Sequence, residues 1–159
     1  MLTTLALLAA CGGSGSSDGG GEWATDYLPE DGRYSEYGWA GVPSAQPLML
    51  LTEDETWDLR SGETWNEAQQ LGPFTLSTED GLWLDDTLLL PERPETGLVE
   101  GGVEVLSMGE REVYYGTFQG TVSVEIEEGD FAGENVFAVG HGPIVITHLG
   151  VIWELVYYE

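Results

Sequence analysis

Along most of its length this chain changes polarity at every second residue. Val122, Val124 and Ile126 are apolar, while Ser123, Glu125 and Glu127 between them are polar. Only an extended strand sorts that alternation onto one dry and one wet face. Gly102 to Leu106 repeats it, with Val103 and Val105 set against Glu104. Further strands are expected over Tyr34 to Trp39, Leu48 to Thr52, Thr56 to Arg60, Phe74 to Ser77, Leu82 to Asp85, Thr87 to Leu90, Glu112 to Phe118, Asn135 to Val139, Ile144 to Thr147 and Val151 to Tyr158. Between them stand turn formers such as Glu30-Asp31-Gly32, Glu79-Asp80-Gly81, Glu128-Gly129-Asp130 and Gly140-His141-Gly142-Pro143. No helix is expected from Glu22 onward beyond a single turn over Asn66 to Leu71, and Pro91 to Gly101 reads as a loop or an edge. Short strands with turns at this spacing predict one all-β domain over 23–159, an antiparallel β-sandwich or an open or closed β-barrel.

The segment before that domain carries a different pattern. Residues 1–10 are almost wholly apolar and end in Leu8-Ala9-Ala10-Cys11. The length suits the core of a signal peptide and is too short to span a bilayer. Leu8 to Cys11 resembles the bacterial lipobox, which implies cleavage between Ala10 and Cys11 and acylation of the Cys11 thiol and amine. Met1 to Thr4 lacks the Lys or Arg that normally opens such a peptide, which predicts a start further upstream. Residues 11–22 follow as a Gly/Ser tether, a composition that stays flexible and holds a folded body clear of its anchor. The expected location is therefore the bacterial cell envelope, with the membrane reached through lipid on Cys11.

Charge narrows the partners. Twenty-nine acidic residues face four arginines and no lysine, a net charge of −25. Nucleic-acid binding is not expected, because phosphate recognition needs a concentrated positive surface. With a single cysteine the domain can form no internal disulfide.

The C-terminal half carries a second resemblance. Val113-Tyr114-Tyr115-Gly116-Thr117-Phe118, Val136-Phe137-Ala138-Val139-Gly140-His141-Gly142-Pro143-Ile144-Val145 and Trp153-Glu154-Leu155-Val156 together resemble the last hairpins of a group of uncharacterised bacterial envelope lipoproteins. Tyr27-Leu28-Pro29 with Gly32 and Tyr34 is similar to their N-terminal opening. This chain departs from the group at Pro143, where Leu is usual. The resemblance implies an antiparallel β fold on the envelope and brings no activity with it. Independently of the group, Gly140 and Gly142 bracket a turn expected to need positive φ or close backbone approach.

Catalytic and cofactor chemistry has little to stand on. His141 and His148, seven apart, would point to opposite faces of one strand, so a shared metal is not expected. Glu53-Asp54-Glu55 with Asp58, Glu79-Asp80 with Asp85-Asp86, and Glu127-Glu128 with Asp130 lack calcium-loop spacing and read as solvated turns. Glu154, between Trp153 and Leu155, is expected at a surface or edge beside an arginine. The six tryptophans and seven tyrosines read first as core and second as an exposed sugar or lipid platform. No cofactor motif and no nucleophile elbow occur. The expected role is a non-enzymatic structural or binding one toward an envelope protein or a ligand. The alternatives are a half-barrel carrier of an apolar ligand and, behind it, a secreted hydrolase.

Overall fold

The computed structural model describes residues 23–159; the expected signal peptide 1–10, the expected cleavage pair Ala10 and Cys11, and the expected tether 11–22 lie outside the described residues. Thirteen strands form there: β1 (Tyr34–Trp39), β2 (Leu48–Glu53), β3 (Thr56–Ser61), β4 (Gln69–Gln70), β5 (Phe74–Ser77), β6 (Gly81–Leu84), β7 (Thr87–Pro91), β8 (Val99–Glu100), β9 (Val103–Val113), β10 (Gly116–Ile126), β11 (Gly133–Ala138), β12 (Gly142–His148) and β13 (Val151–Tyr158). Twelve of them pair antiparallel in the order β7-β6-β5-β3-β2-β1-β13-β12-β11-β10-β9-β8, and β4 pairs with β3. β7 at one edge of this order approaches β9 and β10 near the other. The sheet is therefore a nearly closed barrel, joined across the last gap by side chains. Leu88 of β7 sits so close to Gly101 that a Cβ there would stand 2.8 Å from Leu88 Cδ2.

The period-two residues point where the alternation demands. Val122, Val124 and Ile126 pair with Met108, Val105 and Val103 on one side, and Val122 and Val124 pair with Phe137 and Asn135 on the other. With Tyr37, Leu48, Leu50, Leu59, Ile144 and Ile146 they form one continuous apolar cluster filling the barrel. The Tyr37 hydroxyl, wholly buried, donates to the Pro143 carbonyl at 2.8 Å, so the one polar atom of that ring is satisfied inside the core. Asn135, also buried, donates to the carbonyls of Phe131 and Gly133 and accepts from the Thr147 amide at 2.9 Å, fastening the 129–133 turn to β12.

Three expectations about elements are corrected. Glu112 to Phe118 is not one strand: β9 ends at Val113, Tyr114 and Tyr115 turn, and β10 starts at Gly116. A 3₁₀ turn, Ala24–Tyr27, stands where no helix was expected; Ala24 and Tyr27 are buried, and the Ala24 amide donates to the Glu92 carbonyl. Asn66 to Leu71 holds no helical turn: the chain turns over 65–67 and Gln69 and Gln70 then join the sheet. Within Pro91 to Gly101 the short edge strand β8 forms.

Both faces of β11 and β12 are largely buried. One face is the barrel interior. The other carries Val136, Ala138 and Val145, none more than 1% exposed. The distal half of the β9–β10 hairpin covers it. The pairing slips between Gln119 and Thr121, opposite Gly109, and the hairpin folds back over β11 to β13 from that point. Arg111 Nη1 then reaches Glu134 Oε1 at 3.3 Å and the Tyr115 amide donates to the Leu155 carbonyl at 3.2 Å. We call residues 109–120 the flap.

Candidate functional site

The barrel end at which β1 begins and β13 finishes is the end that Ala24–Tyr27 caps: the Gly140 amide donates to the Asp26 carbonyl at 2.8 Å. Four segments meet on this rim. The β11–β12 turn contributes His141 between Gly140 (φ +70°) and Gly142 (φ +79°), both in the left-handed region that favours glycine. A Cβ on Gly142 would lie 2.7 Å from Pro29 Cδ, so the turn packs directly on the segment following the 3₁₀ turn. The lead into β1 contributes Arg33, β13 contributes Tyr158, and the flap contributes Tyr115 and Phe118.

Their contacts form one connected cluster. Arg33 Nη1 stands 3.1 Å from His141 Nδ1, and Arg33 Cζ lies 4.7 Å from the Tyr158 ring centroid. The His141 ring meets Phe118 edge-on at 5.0 Å and Tyr158 at 5.3 Å. Tyr158 and Tyr115 stack at a tilt with centroids 4.6 Å apart. A shallow cleft of about 380 Å³ opens here, walled by Tyr115, Phe118, His141 and Tyr158. Arg33 stands behind two of those walls with its side chain 13% exposed; its ion-pair partner Glu30, at 3.8 Å, is 86% exposed.

The Arg33 contact fixes the state of His141. A guanidinium only donates, so Nδ1 must be the acceptor, and the neutral ring then carries its proton on Nε2. Burial pushes the His141 imidazole below its ordinary value of 6.5, and the neighbouring Arg33 charge adds to this, while Glu30 opposes it. The hydroxyl of Tyr158, hydrogen-bonded to Tyr115, pushes the Tyr115 phenol up.

The chain matches no known family model, no curated protein and no solved structure. Its chemistry rests on its own geometry.

The remaining residues singled out in the sequence lie elsewhere. His148 ends β12 at the opposite barrel end, against Phe131 at 5.4 Å, so the two histidines stand at the two ends of one strand. Glu154 has no arginine: the three ion pairs among the described residues are Arg33–Glu30, Arg60–Asp58 and Arg111–Glu134. Its carboxylate lies over Gly41 instead, where a Cβ would stand 2.5 Å from Oε2. Tryptophan contributes less core than expected: Trp57 is buried, whereas Trp39 is 66% and Trp23 37% exposed, because the interior is filled by leucine, valine and two tyrosines. A second, larger cleft of about 600 Å³ runs between Leu28, Thr52 and Leu76 beneath Asp31, Asp54, Glu55 and Glu79. Among the described residues no three acidic, histidine or cysteine side chains converge as a metal site, and no helix is long and apolar enough to cross a membrane.

Proposed function

We propose that this chain is a lipid-anchored protein of the bacterial cell envelope with a non-enzymatic binding role, its ligand taken in the rim cleft of Tyr115, Phe118, His141 and Tyr158. The anchor is supported by Leu8-Ala9-Ala10-Cys11 and the Gly/Ser stretch after it. The observation that carries the binding role is the shielded Arg33–His141 pair behind aromatic walls. Among the described residues, a screened cation, an imidazole and three aromatic rings meet at an open cleft here and at no other place. Aromatic walls with few polar groups are the usual make-up of a small-molecule site. The described residues begin at this same cap, so an anchor on Cys11 would reach the barrel from the end that carries the cleft. A carrier of apolar ligands needs a lumen, and here one continuous cluster occupies the interior.

Two measurements test this reading. Replacing Cys11→Ser is expected to abolish fatty-acid labelling and release the protein from membranes; a variant that stays membrane-bound overturns the anchor. Chemical-shift mapping of the full chain in detergent micelles, with a panel of neutral and acidic sugars and with oleate, is expected to move signals of Tyr115, Phe118 and Tyr158 with a sugar. Shifts confined to interior residues such as Leu50 and Val124, with oleate, would instead make the protein a carrier.

A further inference from the structure

The geometry points to a ring-bearing carboxylate, such as a sugar acid, as the ligand class of the rim cleft, bound together with a proton taken up by His141. This rests on the rim-cleft reading above.

The argument starts from Arg33. Its charge is withdrawn from water, yet among the described residues the one carboxylate it pairs with is a solvent-exposed Glu30 at 3.8 Å, beyond hydrogen-bond length. The other partners are uncharged: the Nδ1 lone pair of His141 and the face of Tyr158. The groups facing His141 are Arg33 and Glu30 from the lead into β1, Tyr158 from β13, and Tyr115 with Phe118 from the flap. Asp26 of the 3₁₀ turn meets this site through its carbonyl, and its carboxylate accepts the Trp23 amide. The site thus holds one fixed positive charge, one loosely held negative charge and one imidazole able to take a second proton.

A carboxylate entering the cleft changes that balance. It meets the His141 Nε2–H on the cleft wall and the Arg33 charge behind it. Its presence favours the doubly protonated ring, since an anion beside an imidazolium stabilises the charged form. The protonated ring can no longer accept from Arg33; Nδ1–H turns to solvent or to Glu30, and Arg33 is left for the incoming anion. Tyr115, 45% exposed, supplies flat apolar surface for the C–H face of a sugar ring, with Tyr158 and Phe118 packed against it and holding it in place. Binding of the anion then raises the pKa of His141, and by linkage acid tightens binding. The sign is fixed: affinity is low and level above the pKa of His141 in the complex. It climbs as pH falls from there to the lower pKa of the free protein, and it levels again below that.

The test is a titration of the full chain in detergent micelles with glucuronate, which stays ionised over this range, and with glucose as the neutral control. Histidine ring signals and affinity are followed from pH 7.5 to 5, with His148 as the internal reference. Glucuronate is expected to bind about tenfold more tightly at the acid end, the effect of a one-unit rise in the pKa of His141. His148 should titrate unchanged. Glu30→Gln, which removes the competing carboxylate, should tighten binding at the neutral end of the range, where His141 is uncharged in the free protein. His141→Gln keeps an acceptor for Arg33 and should bind weakly with no pH dependence. Glucuronate binding at the rim with an unmoved His141 titration would overturn the proton linkage and leave the rim reading intact. Glucose binding as well as or better than glucuronate would overturn the carboxylate assignment and leave the rim reading intact. If neither sugar moves a rim signal at either pH, both fall.

Discussion

Gly140 and Gly142 flank His141 with nearly the same positive φ, and they differ in what surrounds them. Nothing lies within 4 Å of a Cβ placed on Gly140, whereas Gly142 has Pro29 Cδ at 2.7 Å and Cγ at 3.0 Å. Gly140→Ala should therefore cost only the backbone term, about 1–2 kcal/mol. Gly142→Ala adds a collision with a proline ring that has no rotamer in which to retreat, for a total of about 2–4 kcal/mol. Urea unfolding of the two variants checks this; equal losses would mean that the turn does not rest on Pro29. The comparison bears on the site as well, because Gly142 sets where His141 stands relative to Arg33. The Gly142 variant should shift the His141 ring signals even at a urea concentration where it is fully folded, and the Gly140 variant should shift them less.

At the scale of elements, the flap is held by few groups. Val113 and Phe118 are its buried side chains, at 6% and 8% exposure, and the Arg111–Glu134 pair, both about one-third exposed, adds little. Val113→Ala removes about two methylene equivalents from this contact and should cost about 1–2 kcal/mol. If the flap opens as a unit, amides 110–119 should exchange faster in this variant than those of β1 and β2, which report global opening; uniform acceleration would show that flap and barrel unfold together. The flap also marks where the sequence stops being readable. Most strands were legible, Gly102 to Leu106 and Thr56 to Arg60 among them, because one face of each meets the core and the other is turned toward water. β11 and β12 lose that signature, since the flap dries their outer face and Val136, Ala138 and Val145 are apolar there. The hairpin tip was hidden for a different reason. Tyr114 and Tyr115, neither of them a usual turn former, make the turn, so Glu112 to Phe118 reads as unbroken strand despite Gly116. The site was half visible: Gly140 and Gly142 announce their turn, but Arg33 and His141 are 108 positions apart and nothing local connects them.

For the whole molecule the dominant unsatisfied interaction is its own charge. With 29 acids against four arginines, carboxylates must face one another, and register shows where: Glu125 of β10 lies directly opposite Glu104 of β9 on one side and Glu134 of β11 on the other. Like charges in opposed positions of a sheet destabilise it by about 0.2–1 kcal/mol per pair, and Arg111 relieves only Glu134, the far member of this row. The unfolded chain spreads the same charges further apart, so repulsion weighs on the folded state. Raising NaCl from about 0.1 to about 1 M shortens the screening length from about 10 to about 3 Å and should raise the thermal midpoint. Salt at that level also strengthens apolar burial, so the rise alone does not isolate repulsion; Glu125→Gln does. It removes two opposed pairs while keeping the shape of the side chain, and should stabilise the protein by about 0.4–2 kcal/mol at low salt, with the gain shrinking as salt is added. A gain that stays constant across the salt range would mean that Glu125 acts through something other than charge. No gain at any salt would mean that water already screens the row of carboxylates on the outer face of β9 to β11.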